Sequence, residues 1–205
     1  MIRQKTHQLV IVMEKKKLSL TYRFLRAIGL NYPEEEYGDV SIFRVVKQFF
    51  SNMKNAILLS MMNWSLFEPL NPRKLRPMYM RMMGAKVGKD VFIGDHVVID
   101  QNRAHLITIE DHVHIAGGSR LLCHKRDLSV YFKGEDYAKL PYRTDKIHLK
   151  KGCAIGTNSL VMLGVIVGEG AIVGANSLVT KDIPEWTIAV GQPAKVIKEI
   201  PKRLN

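Results

Sequence analysis

Residues 149–180 read LKKGCAIGTNSLVMLGVIVGEGAIVGANSLVT, and an aliphatic side chain returns at every sixth position of this stretch. The same spacing occurs in two shorter blocks that begin at Val87 and Ile109. Neither an α-helix nor a single strand repeats every six residues, because their side-chain periods are near 3.6 and 2. The chain must therefore change direction once in each repeat. The repeated aliphatic position is occupied by Val87, Ile93, Ile99, Ile109, Ile115, Leu121, Leu149, Ile155, Val161, Val167, Val173 and Val179.

Two further positions share the sixfold register. Small or β-branched residues mostly stand two places before the aliphatic one, and glycine often follows it directly, as at Gly156 and Gly174. Glycine suits a tight corner because it tolerates backbone angles closed to other residues. The pattern predicts a coil of short strands whose equivalent positions stack from turn to turn. With three repeats in each turn, the twelve aliphatic positions would make four turns.

The segments VGKDVFIGDHVVI (87–99) and AIGTNSLVMLGVIVGEGAIVGANSLVTKDIP (from Ala154) resemble the hexapeptide-repeat acyltransferases. Residues 147–200, which end VGQPAKVIKEI, most resemble the galactoside and maltose O-acetyltransferase branch and its polysaccharide-modifying relatives. This resemblance, which begins near Gly84, implies a left-handed parallel β-helix, a homotrimer and acetyl-CoA as donor. The handedness rests on the resemblance alone, because parallel crossovers are usually right-handed.

The expected fold is therefore mainly β, with helices at both ends. An N-terminal helical region is expected over 1–83, with helical stretches at 40–67 and 75–83. The β-helix should occupy 84–183, and the tail over 184–205 should form a short closing helix.

The net charge of +12 is concentrated before the coil. Residues 1–86 hold 15 Lys and Arg against 6 Asp and Glu. This excess fits a solvated helical face, peripheral contact with an anionic membrane, or attraction of an anionic substrate. Neighbouring apolar side chains such as Phe49, Phe50 and Trp64 support the membrane interpretation. Nucleic-acid binding is disfavoured because no nucleic-acid motif accompanies the charge.

The remaining composition fits a cytoplasmic protein, at the inner face of the membrane if the basic region binds lipid. The chain shows no secretory signal pattern, and its strongest apolar run, 56–62, is too short to span a bilayer. Cys153 occupies an inward small-residue position, so buried thiols are favoured over a disulfide with Cys123.

The repeat is interrupted after Ile99 and, at greater length, after Leu121, where a loop over 124–146 leaves the coil. Interruptions of a solenoid commonly carry its function. In the resembling O-acetyltransferases a histidine at the start of such a loop is the general base, and His124 matches that position. Imidazole suits the role because it titrates near neutral pH and can accept a hydroxyl proton.

The acceptor site is less constrained by the sequence. Asp95 and His96 stand where the sugar acetyltransferases have asparagine-containing stretches that contact the acceptor, and this departure leaves the acceptor open. Asp127 either orients the imidazole of His124 or caps the loop. Outward-facing His96, His112 and His114 could bind a metal, as in carbonic anhydrases of the same β-helix type. A polar outer lattice is the favoured interpretation, and no metal is expected.

For acetyl-CoA the resemblance assigns six positions. They are Thr157 and Ala175 along the pantetheine arm, Thr180 and Lys181 near the nucleotide end, and Lys195 and Lys198 near the 3′-phosphate.

These features predict an acetyl-CoA-dependent O-acetyltransferase that acts on a saccharide, with a cell-surface polysaccharide precursor as the expected acceptor. Three alternatives stay open. The first is acyl transfer to the amine of a nucleotide sugar or to serine. The second is a metal-dependent lyase or hydratase on the same scaffold, and the third is a non-catalytic scaffold protein.

Overall fold

The structure is a computed structural model. The chain consists of two compact units, one ending at Ser51 and the other beginning at Asn52. The residues that the structure describes are 18–30, 37–64, 66, 68 and 70–203. The helices are α1 (Leu20–Ala27), α2 (Ile42–Met61) and α3 (Arg76–Met82), the last preceded by a π-helical turn at Asn71–Leu75. Helices α2 and α3 lie within the stretches predicted to be helical.

In the first unit, Ser19 starts helix α1. Its hydroxyl accepts a hydrogen bond from the Tyr22 amide at 3.0 Å, which satisfies one of the free donors of the first turn. The same hydroxyl donates to the Val40 carbonyl at 2.7 Å. Tyr22, Leu25 and Val40 form a small buried cluster. Among the described residues, no helix combines the length and the apolar character needed to cross a bilayer.

The second unit is built from short strands that follow one another around a coil. Sheet A contains β1 (Lys86–Val87), β4 (Ile107–Ile109), β9 (Ile147–Leu149) and β12 (Ile166–Val167). Sheet B contains β2 (Phe92–Ile93), β5 (His114–Ile115), β10 (Ala154–Ile155), β13 (Ile172–Val173), β15 (Thr187–Gly191) and β16 (Ala194–Glu199). Sheet C contains β3 (Val98–Ile99), β6 (Arg120–Leu122), β11 (Leu160–Met162) and β14 (Leu178–Val179).

The chain visits sheets A, B and C in rotation, one strand from each in every turn. The register pairs equivalent repeat positions, as in Ile99 with Leu121 and Ile155 with Val173. Without β7 (His124–Arg126) and β8 (Tyr142–Thr144), which form a separate ribbon, the strands β1 to β14 number twelve. They make four turns of three repeats, as the sixfold period predicts. The coil is a left-handed parallel β-helix.

The core fills the inside of the coil. Eleven of the twelve repeated aliphatic residues are buried, and Val87, in the first strand, is half-buried. The preceding small positions are buried as well, including Ser119, Ser159 and Cys153. Helix α3 packs on β1 and β2, and its Met80 belongs to the same apolar cluster. The apolar face of each repeat is thus covered by its neighbours.

Corner geometry explains why polar residues repeat on the outside of the coil. The third residue after the aliphatic position adopts a left-handed backbone conformation, with φ of 52° at His96, 60° at His112 and 57° at Asn158. Glycine and asparagine tolerate this conformation best. The shared position of His96 and His112 is therefore a corner position of the coil.

The predicted C-terminal helix is wrong. Residues 187–199 form an antiparallel hairpin, in which β15 extends sheet B beside β13 and β16 pairs with β15. The β-branched Val196 and Ile197 favour a strand, and Gly191 at φ 101° allows the turn. The hairpin gives β15 a partner on its outer edge, which a helix would have left exposed.

Candidate active site at one corner of the coil

Both interruptions of the repeat leave the coil at one corner, in consecutive turns. Asp100 follows β3 and opens the first interruption, a 3-10 segment over Gln101–Leu106. His124 follows β6, which lies directly beside β3 in sheet C, and opens the second interruption. We call the corner that follows sheet C the C–A corner. Parallel stacking thus places Asp100 and His124 one turn apart.

The second interruption forms a ribbon at its root. Strand β7 (His124–Arg126) pairs antiparallel with β8 (Tyr142–Thr144), so that His124 lies opposite Thr144. The Asp145 amide donates to the Cys123 carbonyl at 3.1 Å, which returns the chain to the coil where it left. His124 is therefore held by the ribbon on one side and by the coil on the other.

Asp100 and His124 form a hydrogen-bonded pair. Nδ1 of His124 donates to Oδ2 of Asp100, whose side chain is only 7% exposed, whereas that of His124 is 33% exposed. A carboxylate acceptor at Nδ1 assigns the ring proton to that nitrogen and leaves the lone pair on Nε2. The arrangement leaves Nε2 able to accept a proton at the surface of the coil.

Aromatic and cationic side chains surround the pair. The Tyr142 ring meets His124 edge to face, with centroids 5.4 Å apart. The Arg126 guanidinium carbon lies 4.0 Å from the Tyr142 ring centroid, and that of Arg103 lies 5.9 Å from it. Arg103 also reaches to 3.7 Å from Oδ1 of Asp100. The candidate site therefore contains a histidine–aspartate pair beside a tyrosine ring and two arginines.

The sequence did not predict four residues of this site, namely Asp100, Arg103, Arg126 and Tyr142. Their proximity to His124 could have been inferred from the two interruptions. Both follow the third repeat of a turn, so both must leave the coil at the same corner. Asp127, a candidate for orienting the imidazole, instead accepts hydrogen bonds from the amide and hydroxyl of Ser129 at 3.0 and 2.7 Å. These hydrogen bonds lower the pKa of Asp127 and make it the cap of a 3-10 turn.

Asp95 and His96 lie at the corner that follows sheet B, which we call the B–C corner. The His96 amide donates to Oδ1 of Asn63 at 2.8 Å, and the hydrogen bond from His96 lowers the pKa of Asp95. Both residues line a cleft of about 410 Å³ that also contains the buried Arg76 and its partner Glu68. Within one chain, sheet C separates this cleft from His124.

The residues assigned to acetyl-CoA occupy two corners and the hairpin. Thr157 and Ala175 are exposed in consecutive turns of the B–C corner, where the Asn176 amide donates to the Thr157 carbonyl at 2.8 Å. Thr180 and Lys181 are exposed at the C–A corner, two turns beyond His124. Two turns correspond to about 10 Å. Lys195 and Lys198 are exposed on β16.

The outward histidines have partners other than a metal. His114 stacks on Phe92 with ring centroids 4.1 Å apart, and His112 Nδ1 lies 3.7 Å from Oδ2 of Asp90. Burial and the nearby charge of Arg73 lower the pKa of His114. Across the described parts of the chain, no three His, Cys, Asp or Glu side chains come together in a group able to hold a metal ion.

Known proteins contain the same repeat. Residues 151–181 match the family model described as the hexapeptide repeat of succinyl-transferase. These residues therefore form a hexapeptide repeat. Over 48 residues the chain is 52% identical to a dTDP-3-amino-3,6-dideoxy-α-D-galactopyranose 3-N-acetyltransferase of Aneurinibacillus thermoaerophilus, covering 23% of this chain and 25% of the relative. The matched part of the chain covers 35% and 25% of the length of two of the first curated relatives.

Solved structures share the fold of this hexapeptide-repeat protein over a larger part of the chain. A maltose O-acetyltransferase from Clostridium difficile has a TM-score of 0.59 and 21% identity, covering 75% of this chain and 88% of the other. A hexapeptide-repeat acetyltransferase from Vibrio cholerae, solved with acetyl coenzyme A, has a TM-score of 0.59 and 18% identity, covering 85% and 96%. At these identities the likeness establishes the fold.

Proposed function

We propose that the protein is an acetyl-CoA-dependent O-acetyltransferase that modifies a saccharide hydroxyl. The observation that carries the proposal is the His124–Asp100 pair at the root of the loop. A hydroxyl is a weak nucleophile at neutral pH, and a positioned imidazole with a free Nε2 supplies the base that it needs.

The reaction follows from this geometry. Nε2 of His124 takes the proton of the acceptor hydroxyl while its oxygen attacks the thioester carbonyl carbon. Asp100 stabilises the resulting imidazolium through Nδ1 and keeps the ring in place. The tetrahedral intermediate expels the thiolate of CoA, which receives the proton from His124, and the acetyl ester remains on the saccharide. Acetyl transfer is thus direct, and His124 returns to its neutral form.

The exposed residues of the last two turns support acetyl-CoA as the donor. Thr180 and Lys181 share the C–A corner with His124, so a donor lying along this corner reaches the base. Lys195 and Lys198 add exposed positive charge on β16, which suits a phosphorylated carrier. The Vibrio cholerae relative of the same fold was solved with acetyl coenzyme A.

The two corners also favour a homotrimer. Thr157 and Ala175 lie at the corner where the strands of sheet C begin, whereas His124 and Thr180 lie at the corner where these strands end. If the B–C corner of one subunit faced the C–A corner of its neighbour, both groups would line one cleft. We expect a single species of three times the 23.3 kDa chain mass in solution, measured by light scattering.

The test of acetyl transfer is the release of free CoA across a panel of acceptors. His124→Ala should abolish release, whereas His148→Ala should retain it. His148 is a matched control because its Nε2 also contacts a carboxylate, that of Glu110 at 2.6 Å, away from the C–A corner. Wild-type release from His124→Ala would refute the assignment of the base.

An amine on a nucleotide sugar is the second candidate acceptor. The similarity to the Aneurinibacillus N-acetyltransferase, 52% over 48 residues, supports it. An amine already carries a nucleophilic lone pair when neutral, so transfer to it should depend less on His124 than transfer to a hydroxyl. Comparing His124→Ala on matched amino and hydroxyl sugars separates the two acceptors.

We also propose that α1 and the first half of α2 contact an anionic membrane, which would bring the enzyme to a lipid-linked polysaccharide precursor at the cytoplasmic face. Leu20, Phe24 and Ile28 form an exposed stripe that is 81%, 61% and 57% accessible. Phe43 and Phe49 are exposed on α2. Residues 18–30 and 37–61 carry five Lys and Arg against one acidic residue. Apolar side chains among cations suit anionic lipid.

Liposome flotation tests this surface. Wild-type protein should float with phosphatidylglycerol vesicles and remain in solution with phosphatidylcholine vesicles. Phe24→Ser with Phe43→Ser should abolish flotation and leave CoA release from a soluble acceptor unchanged. Equal flotation of wild type and double variant would overturn the proposal.

A further inference from the structure

An arginine without an acidic partner stands beside the proposed base. Arg126 follows His124 by two residues on β7, so both side chains project from the same face of the ribbon. Nη1 of Arg126 donates to the Leu140 carbonyl, and its guanidinium lies 4.0 Å from the ring centroid of Tyr142 and 5.8 Å from that of Tyr137. Among the described residues, no carboxylate oxygen lies within ion-pair distance of Arg126.

Two other arginines near the coil do have acidic partners. Arg103 reaches toward Asp100, and the buried Arg76 is paired with Glu68. A guanidinium carries five N–H donors, of which Arg126 uses one for a carbonyl. Aromatic contacts attract the cation but do not neutralise it. Arg126 is therefore a half-buried, oriented cation with free donors next to the base.

The opposite face of the ribbon adds to the positive charge. Lys125 and Arg143 lie directly across from each other on β7 and β8, a like-charge pair that is unfavourable in an isolated ribbon. Asp127 offsets part of this charge: hydrogen bonds from Ser129, and then the charges of Arg143 and Lys125, lower its pKa. Asp145 adds a second carboxylate where the ribbon ends. The root of the loop thus carries more positive than negative charge, which attracts anions into the site.

We infer that the acceptor saccharide carries an anionic group, a carboxylate or a phosphate, and that Arg126 binds it. This inference rests on the proposed acetyl transfer and adds the substrate class to it. Arginine presents paired N–H groups whose geometry matches the two oxygens of a carboxylate or phosphate. Arg126 and His124 stand two residues apart on β7, about 7 Å along the strand, so we expect the anionic group and the reacting hydroxyl to belong to the same sugar.

The anionic group has two sources that share this chemistry. It is the carboxylate of an acidic sugar or the phosphate of a sugar phosphate or nucleotide sugar. Carboxylate and phosphate oxygens both suit the guanidinium, so the structure favours neither. A panel of acceptors that carry one group or the other distinguishes them.

The experiment compares the same three sugars with and without an anionic group, placed at C6 or at C1. Glucose, galactose and mannose are each assayed as the neutral sugar, the uronate and the 1-phosphate, with release of free CoA as the readout. Wild type should have a higher kcat/KM for one charged form than for the neutral sugar, and added salt should reduce that preference. Arg126→Gln should lower kcat/KM for the charged form about 10- to 100-fold, mainly through KM. Its kcat/KM for the neutral sugar should fall at least tenfold less than its kcat/KM for the charged form.

Two further variants separate binding from structure. Arg126→Lys should recover part of the loss, because it keeps the charge without the paired donors. Lys139→Gln removes an exposed charge from the same loop and should have no effect on either class of acceptor.

Several outcomes would overturn the inference. They are a wild-type preference for neutral sugars, an equal loss on neutral and charged acceptors in Arg126→Gln, and dissociation of the oligomer in that variant. Absence of CoA release from wild type with every acceptor would instead overturn the acetyl-transfer proposal, and this inference with it.

Discussion

Replacement of Asp100 by asparagine is the most direct test of how the site works. The substitution keeps the size of the side chain and removes its charge from a position that is only 7% exposed, so that water screens little of the interaction. A hydrogen bond to a charged group contributes about 1.5 to 3 kcal/mol. The full contribution is realised only when His124 is an imidazolium, in the transition state. Since about 1.36 kcal/mol corresponds to tenfold in rate, we expect kcat to fall by about 10- to 150-fold.

The assay is CoA release at saturating acetyl-CoA and varied acceptor. As a positioning residue, Asp100 should affect kcat and leave both KM values within about twofold of wild type. Asp111→Asn is the matched control, because Oδ1 of Asp111 accepts from the Lys89 amide at 2.7 Å on the coil, away from the C–A corner. An unchanged kcat in Asp100→Asn, or an equal fall in Asp111→Asn, would refute the reasoning.

Three further predictions concern the coil. Gly156→Ala should destabilise the protein by about 3 kcal/mol or more in urea unfolding, because a Cβ there would lie 2.5 Å from a backbone nitrogen. Gly152→Ala meets no atom within 4 Å and should cost only about 1 to 2 kcal/mol, for its φ of 68°; equal costs would contradict this. Burial raises the pKa of Cys123 and of Cys153 to about 12, so native protein at pH 8 should not react with a thiol reagent that labels both after denaturation. The pKa of His114 is lowered in the folded state, so below about pH 6.5 the unfolded chain binds a proton that the folded protein does not. The free energy of unfolding therefore falls as the pH decreases below that value. The Tm of His114→Phe should therefore fall less than that of wild type between pH 7.5 and 5, and parallel curves would disprove the linkage.

The coil was predictable because its positions are set by local rules. Aliphatic residues equivalent to Ile155 recur at every sixth position, and only a coiled chain path can bury all of them. Every added turn lengthens this pattern in the sequence. His124 could be proposed as the base because it stands at the start of a long interruption, where the resembling O-acetyltransferases have a histidine. Both inferences use neighbours in the sequence.

The partners of His124 were harder to predict because they are distant in sequence. Asp100 lies 24 residues earlier and Tyr142 lies 18 residues later, and only the closing of the turn and the pairing of the ribbon bring them to the base. The C-terminal hairpin was missed for a related reason. Val196 and Ile197 form a strand because sheet B offers an edge at β15, which the tail sequence does not reveal.

Asp100 and His124 lie in consecutive turns, so their pairing does not depend on the number of turns that follow the loop. Eighteen residues inserted after Val179 would lengthen the stack by one turn and leave Asp100 and His124 in place. Six residues removed between them would rotate His124 by one third of a turn, onto the B–C corner, and separate the pair. A change of one repeat between Asp100 and His124 therefore separates the pair, whereas each whole turn added after Val179 keeps the pair and moves Thr180 and Lys181 about 5 Å further from His124.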